Sequence, residues 1–343
     1  MLSDKVQVFD WSKGEKGDLP IPAEVKFLLS RWGGKLGRFL LLNRMLSKMA
    51  GFVLCSRTLS AMMYASGLAK VFNSQIAATG KAHGYATLNQ AFTHRYPRPT
   101  YPVNQGEASH HFLVAPCDAY LSMRPIVDSR VAVFPGLWVD LPTLLGDAPW
   151  SEFVGGSFLL FTLKPHHDHT LDFPLTSRIH TPPVELAAKR WRVGSTDPAF
   201  LRRAAGQGLG VLDQNHRVVT LLESIPYPGL YAFIEVGAMA VNSIAQDYDG
   251  GRPIHPAGMQ KSHFNFGSTV ILLLSRTLNS HFQPVRELME AASGLSVCEV
   301  KRGNVVCFAK ETPEGSYRVA DTVTLEIRRF AGALEERILR QPA

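Results

Sequence analysis

A Gly-Ser peptide bond can cut itself. In Phe264-Asn-Phe-Gly-Ser-Thr-Val, the Ser268 hydroxyl can attack the carbonyl of Gly267 and turn the amide into an ester. Elimination of that ester and hydrolysis leave a pyruvoyl group at a new N-terminus. Glycine suits the upstream position, because without Cβ it tolerates the strained turn that the attack requires. A nearby base must take the hydroxyl proton. Alone, Gly-Ser-Thr is an ordinary turn, so the remaining machinery must be sought elsewhere in the chain.

The densest run of titratable groups is Pro165-His-His-Asp-His-Thr-Leu-Asp-Phe-Pro174. Its histidines, His166, His167 and His169, and its aspartates, Asp168 and Asp172, allow three readings. They are acid–base chemistry, a transition-metal site and a solvated loop. The first is preferred, because no His-Glu-x-x-His accompanies the run. Asp118, in Ala115-Pro-Cys-Asp-Ala-Tyr, closes an apolar stretch in a turn, where an aspartate is ordinarily a turn former. It gains chemical interest where it meets a histidine in space. Gly206-Gln-Gly-Leu-Gly lacks the full dinucleotide fingerprint and reads as a loop.

These groups need a scaffold. Short apolar runs starting at His111, Ser129, Gly156, Arg217, Tyr231 and Thr269 alternate with Pro, Gly and Asp, which is strand spacing. Val270 to Leu274 reads as a buried strand. There is no sustained βαβ alternation, so a doubly wound sheet is not expected. The fold class is α+β: a β-rich catalytic domain, barrel- or sandwich-like, with N-terminal amphipathic helices. Leu40, Leu41, Met45, Leu46 and Met49 recur at helical spacing, and Met62, Met63, Leu68 and Val71 mark a second helix. Thr87, with Gln90 three residues on, predicts a capped helix through Phe92. Further helices are predicted near Phe282–Ala292 and Ala331–Leu339. The domain boundaries are a loose arm over 1–23, a basic helical region over 24–100, the catalytic domain over 101–310 and an extension over 311–343.

Hydrophobic residues make up 45% of the chain and charged residues 19%, which excludes a disordered composition. The net charge of +7 is unevenly spread. Residues 25–106 hold eleven Lys or Arg and no Asp or Glu, leaving 25 basic against 29 acidic residues elsewhere. Such a segment wants an anionic partner. Its Met and Leu content, and the lack of a nucleic-acid module, favour an anionic phospholipid membrane surface over nucleic acid. The four cysteines show neither Cys-x-x-Cys nor zinc spacing and read as reduced, buried thiols of a cytosolic protein. No secretory leader and no run of eighteen apolar residues is visible.

Several segments, in one colinear order from about Leu41 to Gly303, resemble the phosphatidylserine decarboxylase family. They are Asn43-Arg-Met-Leu-Ser-Lys-Met-Ala-Gly-Phe, Leu88-Asn-Gln-Ala-Phe-Thr-His-Arg with the Pro-rich stretch after it, and Ala115-Pro-Cys-Asp-Ala-Tyr. Leu141-Pro-Thr-Leu-Leu and Gly155-Gly-Ser-Phe follow, then Asn215-His-Arg-Val-Val. Val236-Gly-Ala-Met-Ala-Val-Asn-Ser-Ile and Phe264-Asn-Phe-Gly-Ser-Thr-Val complete the set.

The resemblance implies a self-processing decarboxylase that makes its own pyruvoyl cofactor from Ser268. Cleavage at Gly267–Ser268 would give a β fragment ending at 267 and an α fragment starting at 268. Asp118 would orient a histidine that activates Ser268, as in a serine-protease-like triad. The pyruvoyl carbonyl would bind the substrate amine and act as electron sink while CO2 leaves, and a histidine would protonate the carbanion. The expected reaction is phosphatidylserine to phosphatidylethanolamine. The enzyme would sit peripherally on the cytoplasmic side of a membrane, as a homo-oligomer such as a dimer. Two alternatives are a decarboxylase of a soluble, for instance aromatic, amino acid, and a non-cleaving lipid-binding homologue.

The chain departs from the family's Asp-Tyr-His-x-x-His-x-Pro motif. Anchored on the flanking prolines, His169 matches the first histidine and Asp172 replaces the second. A carboxylate there serves as base only if its pKa is raised. Anchored on the His-x-x-His spacing, His166 and His169 are the pair. Both registers stand at this level. Ala119, Pro135 and the stretch Ala257-Gly-Met-Gln-Lys-Ser also differ from the family pattern.

Overall fold

The computed structural model describes residues 6–10, 15–19, 52–72, 74–96, 112–134, 137–164, 167–187, 212–225, 227–237, 243–265, 268–284 and 297–310. Among the described residues, the N-terminal region includes the helices α1 (Arg57–Ala65), α2 (Leu68–Phe72), α3 (Ser74–His83) and α4 (Leu88–Phe92). The expected helix from Met62 to Val71 is broken in two. Gly67 sits there at φ +78°, a left-handed conformation that ends α1. The capping box on α4 forms as its sequence predicts: Gln90 N–H donates to the Thr87 hydroxyl, and Thr87 N–H donates to the Gln90 side chain. The helix expected around Leu40–Met49 lies outside the described residues.

After the helices the chain is built from strands. They begin with the N-terminal β1 (Val6–Asp10) and β2 (Glu15–Leu19). Then come β3 (Phe112–Val114), β4 (Ala119–Pro125), β5 (Arg130–Phe134), β6 (Leu137–Asp140), β7 (Ser157–Thr162), β8 (Thr170–Asp172) and β9 (Ser177–Leu186). Next are β10 (Arg217–Ser224), β11 (Leu230–Gly237), β12 (Ser243–Gln246), β13 (Gln260–Asn265) and β14 (Ser268–Leu274). The last are β15 (Phe282–Pro284), β16 (Val297–Val300) and β17 (Val305–Ala309). Two short helices intervene, α5 (Leu141–Leu145) and α6 (Arg276–His281).

The main sheet has nine strands in the order β2-β1-β16-β4-β7-β14-β11-β10-β9. All its pairings are antiparallel except β1 with β16. Among the described residues it is open at both edges, so the barrel-like expectation gives way to an open sheet within the α+β class. The edge strand β9 carries Pro182 and Pro183, which cannot donate to a ladder and are tolerated at an edge. A smaller sheet, β12-β13-β8, lies beside it.

Alternation along the central strands sends side chains into two cores. Val270, Leu272 and Leu274 of β14 join Leu159, Phe161, Phe233 and Phe264 in one. Ile271 and Leu273 join Phe158, Leu160, Ile234 and Val236 in the other. A strand buried on both faces reads as a continuous apolar run, which is why β14 is legible in the sequence. Each fully buried Leu on it contributes about 1.5–3 kcal/mol.

Two expectations are corrected. The segment read as a loose arm contains the β1–β2 hairpin, since Val6-Gln-Val-Phe has strand alternation and the edge of β16 offers it unpaired backbone. Most of the helix predicted near Phe282–Ala292 lies outside the described residues; Phe282 itself opens strand β15, after α6, which starts at Arg276 behind the Ser275 cap. Cys55 is exposed, on the helical region, whereas Cys117, Cys298 and Cys307 are buried. The helix predicted near Ala331–Leu339 lies outside the described residues.

Candidate active site

The sheet order does the positioning. Strand β7 runs between β4 and β14, with Thr162 opposite Tyr120 on one side and Thr269 on the other. Asp118 therefore immediately precedes β4, and Ser268 begins β14, at the same end of the sheet. Neighbouring strands lie about 4.8 Å apart, so the two backbones are roughly 10 Å apart across β7. The chain leaving β7 at that end is the Lys164–His169 loop. Acid, histidine loop and serine are thus delivered on three adjacent strands.

Position 268 is held on both sides. It pairs with Gly237 of β11, a residue without a side chain to crowd it. Upstream, Phe264 N–H donates to the carbonyl of His169 at 3.1 Å. Asn265 accepts from the Asn89 side chain of α4 at 2.8 Å. The end of β13, which precedes the Gly267–Ser268 bond in the chain, is thus anchored to the histidine loop and to the N-terminal helices. Gly267 and His166 themselves lie outside the described residues.

His169 is fully buried and stacks on the Phe92 ring at 3.9 Å. Its Nε2 donates to the Lys164 carbonyl at 3.1 Å, because a carbonyl can only accept. That bond makes Nδ1 the basic atom of the neutral ring. His167 turns to the other side: its Nδ1 accepts from Lys164 N–H at 3.0 Å, and its Nε2 lies 3.9 Å from Glu299 of β16.

The aspartates gather around one residue, two at its guanidinium and one at its backbone N–H. Arg302, on the turn between β16 and β17, is 2% exposed. Its backbone N–H donates to Asp118 at 2.9 Å. Its side chain lies 3.2 Å from Asp168 and 3.4 Å from Asp172, and donates to the Thr170 hydroxyl and, at 2.8 Å, to the Tyr96 carbonyl. Lys301 reaches Asp118 at 3.7 Å. Asp168 also accepts from the Thr170 backbone and hydroxyl and from Tyr96 N–H. Asp172 takes a forked pair of bonds from Arg95, at 2.8 and 3.1 Å. Burial pushes the Asp172 carboxyl above its ordinary range, while Arg95 and Arg302 pull it back. In this arrangement Asp172 is an ion-pair partner of two arginines.

Sequence reasoning missed Arg302, Arg95 and Asn89. A further buried pair also escaped it. Lys261 of β13 and Glu235 of β11 are both fully buried, 3.1 Å apart, with Gln246 bonded to each and the Phe233 ring 4.6 Å from the ammonium. Desolvation lowers the Lys261 pKa, against the pull of Glu235. One signal was visible for this pair: a lone glutamate inside the apolar run of β11. Among the described residues, no group of three His, Cys, Asp or Glu is arranged to hold a metal ion.

Residues 88–297 match the family model described as phosphatidylserine decarboxylase. The chain is similar to the phosphatidylserine decarboxylase proenzyme of Geobacillus kaustophilus (strain HTA426), 29% identical over 214 residues, covering 62% of this chain and 75% of that one. It is 29% identical over 233 residues to the proenzyme of Anoxybacillus flavithermus (strain DSM 21510 / WK1), covering 66% and 82%. With the proenzyme of Chlamydia trachomatis serovar L2 (strain ATCC VR-902B / DSM 19102 / 434/Bu) it shares 28% identity over 211 residues, covering 61% and 64%.

Proposed function

The chain belongs to the phosphatidylserine decarboxylase family, and from that premise we propose that it cleaves itself at Gly267–Ser268 and then decarboxylates phosphatidylserine to phosphatidylethanolamine. The observation that carries this reading is the strand order β4-β7-β14, which sets Asp118, the histidine loop and Ser268 at one end of the sheet.

In the cleavage, the Ser268 oxygen bonds to the Gly267 carbonyl carbon and the amide nitrogen leaves. Elimination then releases the Gly267 carboxylate, and hydrolysis releases ammonia. The histidine loop takes the hydroxyl proton, and His169 is the member whose bond to the Lys164 carbonyl fixes a basic Nδ1. Asp118 supplies negative charge to stabilise the protonated ring. A pyruvoyl group fits position 268: the site begins a strand pinned between β7 and β11, opposite a glycine, and is backed by a dry core. When formed, that group supplies the electron sink for loss of CO2. The protein's part is to hold the substrate at the mouth of the sheet, exclude water through Phe92, Phe264 and Leu163, and return a proton from the histidine loop.

The N-terminal helices supply the lipid contact. Phe52, Met62 and Leu68 are 72%, 62% and 56% exposed, and Arg57 and Lys70 are exposed among them. Apolar side chains mixed with cations suit an anionic bilayer surface. No helix among the described residues is long and apolar enough to cross a membrane.

Intact-mass analysis of the purified protein tests the reading. The expected result is two chains, 1–267 and 268–343, the second with a blocked N-terminus, and release of CO2 from phosphatidylserine vesicles. Ser268→Ala stays whole. A single full-length wild-type chain sinks the proposal, and CO2 from a free amino acid but not from the lipid transfers it to a soluble substrate.

A further inference from the structure

Arg302 lies beyond the family match, which ends at residue 297. It is nonetheless the most connected group at the site. The turn that carries it is built rigidly. Lys301 N–H donates to the Asn304 side chain at 2.7 Å and Asn304 N–H to the Lys301 carbonyl at 2.9 Å. Gly303 stands at φ +86°, a conformation that favours glycine. Gly303 N–H and the Asn304 carbonyl pair with Ala115, three residues before Asp118. The turn therefore docks beside the Asp118 turn through backbone bonds and drives one guanidinium inward.

That guanidinium meets an excess of negative charge. Asp118, Asp168 and Asp172 are all buried, and Arg302 is buried against them. Arg95 and Lys301, the other two cations, are 36% and 44% exposed. The bonds are directional. The backbone N–H holds one oxygen of Asp118, and the fork holds Asp168 and Thr170, which flank His169 in sequence. Two of the three elements in the proposed proton path, the acid and the histidine loop, are thus fixed through one residue.

We propose that Arg302 is a positioning residue of this site: its guanidinium holds the Asp168–Asp172 segment around His169, beside the Asp118 that its backbone N–H holds, in the geometry that self-cleavage requires. This inference rests on the cleavage reading given above. Arg302 would belong to the 268–343 chain, whereas its partners Tyr96, Asp118, Asp168, Thr170 and Asp172 belong to the other. The tie therefore crosses the cleavage point and persists after it.

The test uses the full chain. Arg302→Ala is expected to slow appearance of the 268–343 fragment about 100-fold, the scale of a misplaced reacting group. Guanidinium ion at low millimolar concentration restores cleavage in Arg302→Ala, and Arg302→Lys, which keeps charge but loses the fork, is not rescued. Wild-type cleavage kinetics in Arg302→Ala, or no rescue of a folded Arg302→Ala, overturns the proposal. If Arg302→Ala fails to fold, Arg302→Lys carries the test, with wild-type kinetics again overturning it. A second readout does not depend on cleavage. In the Ser268→Ala chain, adding Arg302→Ala leaves the acids undercompensated and moves the pH at which the His167 and His169 ring signals titrate upward. Unchanged titration overturns the positioning role. An upward move beside an uncleaved wild type keeps the role and removes the cleavage reading.

Discussion

Two buried ionic clusters sit on the same side of the main sheet, and they are built to opposite rules. The Lys261–Glu235 pair is sealed: both side chains are fully buried, their charges balance one to one, and Gln246 fills the remaining hydrogen bonds. The Arg302 cluster is larger and leaky. Asp168 and Asp172 share one buried guanidinium, Asp118 takes the backbone N–H of the same residue, and Arg95 and Lys301, which reach solvent, add further positive charge. A sealed pair is a structural tie between β11, β12 and β13. A cluster that borrows its balancing charge from the surface can respond to a proton or a substrate. The second sits beside the histidine loop, and the first is one strand away from it.

The sharpest way to break the distinction is to remove the acid of the second cluster. Asp118→Asn is expected to slow cleavage about 10³–10⁴-fold, the loss seen when a triad acid is neutralised. Fragment appearance followed by gel reads it, and an effect under tenfold would make Asp118 a turn former only. Next comes the sealed pair. Lys261→Met strands Glu235 in a dry site and should cost about 3–5 kcal/mol in urea unfolding. Pairing it with Glu235→Leu should recover most of that loss and leave cleavage at the wild-type rate. Slow cleavage in a stable double variant would put both clusters in the machinery.

A smaller effect is expected at the rim. Arg95→Gln, at a half-exposed partner, should cost about 1 kcal/mol, and it removes the hydrogen bond that holds the Asp172 carboxyl down. The smallest effect is a slope. Asp172 titrates above its ordinary value of 3.8 because it is buried. A carboxyl raised in the folded state contributes stability that is complete below that value and is lost as pH rises through the raised one. Asp172→Asn should therefore gain on the wild type as pH rises across that window. An equal slope for both proteins in acid denaturation would mean that the arginines cancel the burial.

Much of the frame was legible in the sequence. The runs of β7, β10, β11 and β14 are apolar because each strand is covered on both faces, and Thr87 with Gln90 announced α4. Ser268 and Asp118 were legible only as candidates, a Gly-Ser bond and a turn aspartate. What joins them was not. Arg302 N–H meets an aspartate 184 residues away, and nothing in Val-Lys-Arg-Gly-Asn distinguishes it from a surface turn. Glu235 was a visible anomaly without a visible answer, because its partner lies on a strand reached after a long connection. The β1–β2 hairpin was hidden for a related reason. Its stability comes from the edge of β16, near the far end of the sequence.

That strand order bears on inheritance. β14 lies between β7 and β11, and β16 lies between β1 and β4. Every main-sheet strand from beyond residue 268 is flanked on both sides by strands from before it. If the chain were cut at the proposed bond, neither piece could leave without tearing four main-sheet ladders. Molecules carrying different alleles in one cell would not trade pieces, so a defect before residue 267 and another after 268 would not rescue each other in mature protein. Complementation would be confined to chains mixed before they fold.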